Sequence, residues 1–392
     1  MAKNKGKEKY KNNFANAQEQ SRRVDPQIGS LLFRRLPQEI RDHIYAQLFS
    51  STRFRFGERQ TSRTDIVKIR AAPNGLALLR ACRRANLEIG DSWLRHVLFC
   101  FEDTEAMLNK LSALPADTLS KIRHMRLSSD TLLLTHPDGN FFFHRLASVF
   151  KLLPGLQLDQ FTVLGSCGSL VNYDTLDGLI KDGNGWKTLR YICYSSEMLG
   201  FPSQHDGSHA MSNWQWQPHY WRKPQPKHWQ TVMEGRDGVA SNPSVTVYRA
   251  KQPALYGSIL DPNHRVKFEQ KLREGQGSQP HVFPADPELM DGAEQNKEMM
   301  VIVMRGSGVD YEEKKGSPFI EDDIRRGLPG MTWKQIRAVC IDNLDDGEGD
   351  SWLFSDEESD SVEVDVYKDV DEYVWTPLHF NAHHSFLAVQ FP

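Results

Sequence analysis

The sequence has few of the features that mark secreted, membrane-spanning or nucleic-acid-binding proteins. Its five cysteines are widely scattered, which fits a reducing compartment and small packing roles rather than a disulfide framework. No apolar stretch at the start resembles a signal peptide, and no run approaches the length needed to cross a bilayer. A net charge of -3 provides no overall field for nucleic acid. We therefore expect an intracellular protein, cytoplasmic or nuclear, without a membrane partner, and the charge disfavours nucleic acid.

Enzyme signatures are also scarce. The chain has no phosphate-binding glycine loop followed by Lys-Ser/Thr, no dinucleotide fingerprint after a strand and no Gly-x-Ser-x-Gly elbow. Cys167 follows a predicted strand inside a Gly/Ser run, but a nucleophilic thiol needs a nearby histidine and a lowered pKa, and the sequence shows neither. The run is more typical of a tight strand-to-helix turn. We expect no catalytic residue and no cofactor.

Two pairs of histidines have the spacing of zinc ligands. His205 and His209 are four residues apart, as are His379 and His383, and on a helix this spacing would place both imidazoles on one face. The first pair lies in a Gly/Ser loop and the second in a strand-like pattern, so the helical geometry is not supplied. We expect no metal site, and a cysteine- or metal-dependent hydrolase is the least favoured hypothesis.

Charge is concentrated at the two ends of the chain. Residues 1–28 begin with lysines at alternate positions and form a predicted disordered basic tail. Residues 342–372 hold clustered aspartates and glutamates, which repel one another and predict a mobile acidic segment. Residues 373–392 end in alternating apolar and polar positions, which predict a terminal strand.

Between these ends the apolar pattern predicts an α/β fold, with α+β as the alternative. Residues 122–127, 158–164 and 188–194 have strand-like patterns about thirty to forty residues apart, whereas 142–153 and 173–181 have helical spacing. This rhythm indicates βα units with parallel strands joined by helical crossovers. The predicted architecture is an irregular, repeat-like βα sheet over residues 102–200, continued over 201–341.

The continuation contains long loops rich in proline, glycine and tryptophan. Strands are predicted at 244–248 and 298–304, a helix at about 264–273, and either a helix or a strand at 332–339.

An aromatic and basic segment, residues 214–229, is the candidate substrate-binding surface. Aromatic faces interleaved with Arg and Lys can hold a peptide, stack bases or bind a carboxylate. The candidates are Trp214, Trp216, Tyr220, Trp221, Arg222, Lys223 and Trp229. The alternative is a long loop fixed over the sheet by its own tryptophans.

A predicted helix near the start of the chain has an apolar stripe with four-residue spacing. Pro37 suits the first position of a helix, and Glu39 places a carboxylate in the first turn, where the helix dipole favours it. A short helix with such a stripe buries it against its own chain or against a partner. The candidate partner-binding residues are Leu36, Pro37, Ile40, Ile44 and Leu48.

This helix resembles the opening helix of the F-box in its fungal, F-box-like form, with a Leu-Pro-x-Glu-Ile-Arg start at 36–41 followed by Ile44-Tyr45. Residues 78–88 resemble the second helix of that family, and 97–102 resemble the strand after it. The resemblance implies an F-box-like segment over 29–101. It also implies a subunit that binds the Skp adaptor of a cullin–RING ubiquitin ligase and presents a protein substrate without catalysis.

The segment departs from a compact F-box in one respect. Residues 51–74 separate the two helices and predict two short strands, at 53–56 and 65–69. The alternative hypothesis is therefore a binding or scaffold protein in which the stripe of the first helix packs only into the core of the chain.

Overall fold

The fold is described from a computed structural model, which divides the chain into two compact units. One unit comprises residues 1–54 and 70–98, and the other comprises 55–69 and 99–392. The structure describes residues 27, 29–60, 66–68, 76–135, 139–165, 169–199, 223–253, 257–271, 289 and 291–342. Almost all of the predicted basic tail, the acidic segment and the terminal strand lie outside the described residues.

The smaller unit is mainly helical. Its helices are α1 (Leu31–Arg35), α2 (Gln38–Ser50), α3 (Ala77–Ala81) and α4 (Arg83–Ile89), followed by a 3-10 turn at Ser92–Arg95. Pro37 immediately precedes α2, where its missing N–H leaves no helical hydrogen bond unmade. Gly90 ends α4 with a positive φ of 50°, a conformation that glycine adopts without a Cβ penalty.

The interior of the smaller unit is formed by aromatic and aliphatic side chains. The Trp93 ring lies 6.5 Å from the Phe49 ring and 5.9 Å from the Phe54 ring, measured between centroids. Ala85 and Ile89 of α4 are buried as well. Phe49 of α2 and Phe54 therefore pack beside Trp93 in the interior of this unit.

The strands of the protein form one large sheet and two hairpins. The eight-stranded sheet has the order β1-β4-β5-β8-β9-β12-β10-β11, while β2 pairs with β3 and β6 pairs with β7. Boundaries between the units fall within β1 and β4. The strands are β1 (Arg53–Phe56), β2 (Glu58–Gln60), β3 (Ile66–Lys68), β4 (Leu98–Phe101), β5 (His124–Ser128), β6 (Leu132–Thr135), β7 (Phe141–His144), β8 (Leu158–Gly165), β9 (Trp186–Cys193), β10 (Ser244–Ala250), β11 (Arg265–Phe268) and β12 (Met299–Met304).

The centre of the sheet is parallel, as the sequence predicts. In β5 and β8, Leu127 pairs with Val163, and in β8 and β9, Phe161 pairs with Leu189, both in parallel register. The crossover between β8 and β9 is a helix of thirteen residues. Alternate apolar side chains of these strands are fully buried: Met125, Leu127, Phe161, Val163, Leu189 and Tyr191. The predicted α/β class and the three predicted strands are confirmed.

Beyond β9 the pairing becomes antiparallel. β12 pairs with β9 in the register Val301 to Tyr191, β10 pairs with β12, and β11 forms the far edge. The remaining helices are α5 (Thr104–Leu111), α6 (Ala116–Leu119), α7 (Leu146–Val149), α8 (Ser169–Lys181), α9 (Lys227–Asp237), α10 (Gly292–Gln295), α11 (Ile324–Gly327) and α12 (Trp333–Cys340). Among the described residues, none of these helices has both the length and the apolar character that a membrane span requires.

Two predictions of secondary structure are wrong. The helix expected at 142–153 begins only at Leu146, because the Phe-rich run before it forms β7 and pairs with β6. The helix expected at about 264–273 is instead the edge strand β11, which pairs with β10. In both cases a strand partner distant from the local pattern determines the structure.

Candidate functional site

The exposed side of α2 contains three large apolar side chains among polar ones. Ile40 is 46% exposed, and Ile44 and Leu48 are each 42% exposed, although all three are large hydrophobic side chains. They recur every four residues and therefore lie along one side of the helix. Pro37 is also exposed, and Leu36 is half-buried. Ile40, Ile44 and Leu48 are therefore not buried in the core of the chain. We call these three residues the α2 stripe.

The buried face of α2 is shifted by one position from the stripe. Arg41, Tyr45 and Phe49 are buried and also recur every four residues. The sequence does not reveal this face easily, because its first member is an arginine and arginine is seldom buried without a partner. The signal that could have found it is the pair Tyr45 and Phe49, four residues apart.

Arg41 is compensated by Glu88 of α4. Its Nε donates to Oε2 and its Nη2 to Oε1 of Glu88, each at 2.9 Å, in the bidentate arrangement that carboxylates favour. Arg41 Nη1 donates to the Leu36 carbonyl at 2.6 Å, and Nη2 also donates to Gln38 Oε1. The Tyr45 hydroxyl donates to Glu88 Oε2 at 3.3 Å. The network fixes the start of α2 and holds the α2 stripe on the outward side.

The electrostatics of this network favour the ionised pair. Burial alone raises the pKa of Glu88, but hydrogen bonds from Arg41 and Arg84 outweigh it and hold that pKa below its ordinary value. The hydrogen bond to Glu88 raises the pKa of Arg41 despite burial. Arg84 also stacks over the Phe33 ring at 4.5 Å, which connects α1 to α4.

The predicted aromatic binding segment is only partly described, and one of its members is core. Trp229 lies on α9, which sequence patterning missed, and is fully buried with its ring 5.6 Å from Tyr173. Its indole Nε1 donates to Asp177 Oδ1 at 2.9 Å. Trp229 is therefore not a substrate contact. Lys223 is exposed. The other candidates lie outside the described residues: Trp214, Trp216, Tyr220, Trp221 and Arg222.

The residues weighed for catalysis and metal binding also lie outside the described part. This applies to Cys167 and to both histidine pairs. Within the described residues, Cys82, Cys100, Cys193 and Cys340 form no disulfide, and no group of three His, Cys, Asp or Glu side chains is placed to hold a metal ion.

The larger unit has a cavity of about 790 Å³ that the sequence did not indicate. Its lining comes from four parts of the chain: the turn after α7, the end of α8 with the turn that follows it, the end of α9, and residues 310–321. The fully buried ion pair between Lys151 Nζ and Glu313 Oε2, 3.0 Å long, attaches the last of these segments. No local motif signals the cavity, because chain topology brings its walls together.

Comparison of the chain with protein-family models, with curated proteins and with solved structures found no match.

Proposed function

We propose that this chain is a non-catalytic substrate-recognition subunit of a Skp–cullin–F-box ubiquitin ligase. The observation that supports it is the exposed α2 stripe, which lies beside the buried face formed by Arg41, Tyr45 and Phe49. The helix has the F-box-like pattern Leu-Pro-x-Glu-Ile-Arg, and exposed apolar side chains in a row are typical of a surface that a partner covers.

The α2 stripe can make a measurable contribution to the free energy of docking. Complete burial of a leucine or isoleucine side chain is worth about 1.5–3 kcal/mol, so a side chain that is less than half exposed can contribute about 1 kcal/mol when a partner covers it. Three such residues supply about 3 kcal/mol, or roughly a hundredfold in Kd. A change of this size is readily measured.

The docked partner is expected to be the Skp adaptor, and the larger unit is expected to hold the protein substrate. The scaffold alternative requires the stripe to be covered by the chain itself. Ile40, Ile44 and Leu48 remain exposed, so this alternative is less well supported.

The test is a titration of the purified full chain with purified Skp adaptor. The Ile40→Lys/Ile44→Lys variant places two charges on the stripe and should weaken binding by at least about tenfold. Each substitution removes an apolar side chain that the partner would cover and adds an ammonium group that must be desolvated on binding. The matched control is Ser50→Lys/Ser51→Lys, which adds the same two charges at exposed positions at the C-terminal end of the helix, away from Ile40 and Ile44. Equal affinity for both variants, or no binding by the wild type, would overturn the proposal.

A further inference from the structure

The cavity of the larger unit contains a half-buried cation, Arg236, that makes no ion pair with any described residue. Arg236 donates to four neutral oxygens: the Ile180 carbonyl at 2.6 Å, the Leu179 carbonyl at 3.4 Å, Asn184 Oδ1 at 2.6 Å and the Gly183 carbonyl. In the described part of the chain no carboxylate lies within ion-pairing distance of its guanidinium. Burial, and next the positive charge of Arg305, lowers the pKa of Arg236 to about 10.

The nearest buried carboxylate is already engaged. Asp237 binds Arg305 through Oδ1 to Nη2 at 2.6 Å and through Oδ2 to Nε at 2.6 Å, and it also accepts the Gly306 N–H at 3.0 Å. The Asp237 side chain is completely buried in this arrangement. Asp237 is therefore engaged by Arg305, and an anionic group that entered beside Arg236 would meet a guanidinium without an ion-pair partner among the described residues.

One donor of Arg236 is available for such a group. Its Nη1 and Nη2 make all four hydrogen bonds to the α8–β9 turn, and its Nε–H has no acceptor among the residues that the structure describes. Because the turn fixes the guanidinium, little side-chain entropy remains to be lost when a ligand binds.

The rest of the lining has charges of both signs and an apolar side. Lys181 and Lys315 are exposed, and within the described part of the chain neither makes an ion pair. Asp182, Glu312 and Glu321 supply negative charge. Pro318, Phe319 and Ile320 supply apolar surface. A simple inorganic anion would leave the acids and the apolar side without a complement.

We propose that this cavity binds a short peptide segment in which an acidic side chain approaches Arg236 and a nearby basic side chain faces the acids of the lining. A volume of about 790 Å³ lies in the range of ordinary ligand pockets and accommodates a few side chains. The identification of this segment as part of a ubiquitylation substrate rests on the proposed function. Peptide binding by the cavity does not depend on it.

The probe is a phage-displayed library of short random peptides, selected on the immobilised full chain. The selected peptides should share an acidic residue with a basic residue close to it. A labelled copy of the most enriched peptide should bind the Lys181→Glu/Lys315→Glu variant at least about tenfold more weakly than the wild type, because two attractive charges become repulsive. The matched control is Lys251→Glu, at an exposed lysine that does not line the cavity.

Several outcomes would overturn the inference. Failure to select any peptide, selection of peptides without an acid, or equal loss of binding in the control variant would each contradict it. Binding of inorganic phosphate without binding of any peptide would show a free-anion site instead. The Lys181→Glu/Lys315→Glu variant should still bind the Skp adaptor, and the Ile40→Lys/Ile44→Lys variant should still bind the peptide. The two proposals can therefore fail separately.

Discussion

Arg41 of α2 and Glu88 of α4 form a bidentate ion pair in which both N–O distances are 2.9 Å. This pair joins the two helices. Only 7% of the Arg41 side chain and 15% of the Glu88 side chain are exposed. The pair stabilises the inward face of α2 and thereby determines which side of the helix a partner can reach.

Removal of one member of this pair should destabilise the smaller unit. Glu88→Gln leaves the Arg41 guanidinium largely buried without a compensating charge, at a cost of about 2 kcal/mol. Chemical denaturation measures the loss of unfolding free energy, and hydrogen exchange of residues 38–50 measures the local effect on α2. Arg84→Gln is the matched control, since Arg84 is more exposed and makes one hydrogen bond to the same carboxylate. An equal effect of the two substitutions would contradict the role assigned to Arg41.

The same pair predicts an acid dependence. The pKa of Glu88 is below its ordinary value of 4.5 in the folded chain, so the unfolded chain binds more protons near that pH. The contribution of Glu88 to stability is therefore complete above pH 4.5 and is lost as the pH falls through the lower folded value. Hydrogen exchange of α2 should accelerate in this range for the wild type. In the Glu88→Gln variant, the exchange rate of α2 should depend less on pH in this range. If its pH dependence equals that of the wild type, the acid dependence does not come from Glu88.

The α2 stripe should contribute little to the stability of the free protein. Ile44→Ser replaces a side chain that is already exposed, and we expect the free energy of unfolding to change by less than about 1 kcal/mol. Tyr45→Ala, one position further along the helix, removes a buried ring and should cost about 3 kcal/mol or more. Chemical denaturation of the two variants compares them directly. A large cost for Ile44→Ser would restore the core-packing alternative.

Trp229 should act as a structural residue. Trp229→Phe removes the indole N–H that binds Asp177 and should lower the free energy of unfolding by about 1–3 kcal/mol. Asp177→Asn is the control, because the amide retains an oxygen acceptor for the indole. If Trp229→Phe instead left stability unchanged and abolished binding of a substrate peptide, the segment would contain the expected contact after all.

The buried pair Lys151–Glu313 should hold one wall of the cavity in place. Glu313→Gln leaves an ammonium group that is 2% exposed without its anion, and we expect a cost of about 3 kcal/mol. The Lys151→Leu/Glu313→Leu double variant should cost less than the sum of the single changes in a double-mutant cycle. Additive costs would mean that the two side chains act independently.

Sequence patterning predicted the parts of the fold that depend on local periodicity. The parallel strands β5, β8 and β9 were recognisable because large apolar residues alternate with polar ones along much of each strand. The position of β12 between β9 and β10 was not recognisable from the sequence, since strand order depends on packing between distant segments. Helix α9 was missed because only Trp229 and Met233 of its eleven residues are buried.

The candidate site was predictable to a similar extent. The four-residue stripe and its terminal proline were visible in the sequence, but the burial of Arg41 depends on Glu88, which lies 47 positions away. The cavity could not be anticipated, because Lys151, Arg236 and Glu313 have no local pattern in common and meet only through the chain topology.

The most direct test of the proposed function is hydrogen exchange of the full chain with and without purified Skp adaptor. The account predicts that the adaptor slows exchange in α2, where the stripe lies, and that Ile40→Lys/Ile44→Lys removes this protection while the folded state persists. Protection confined to the larger unit, or no protection by the adaptor at all, would contradict the proposal that the α2 stripe is the docking surface.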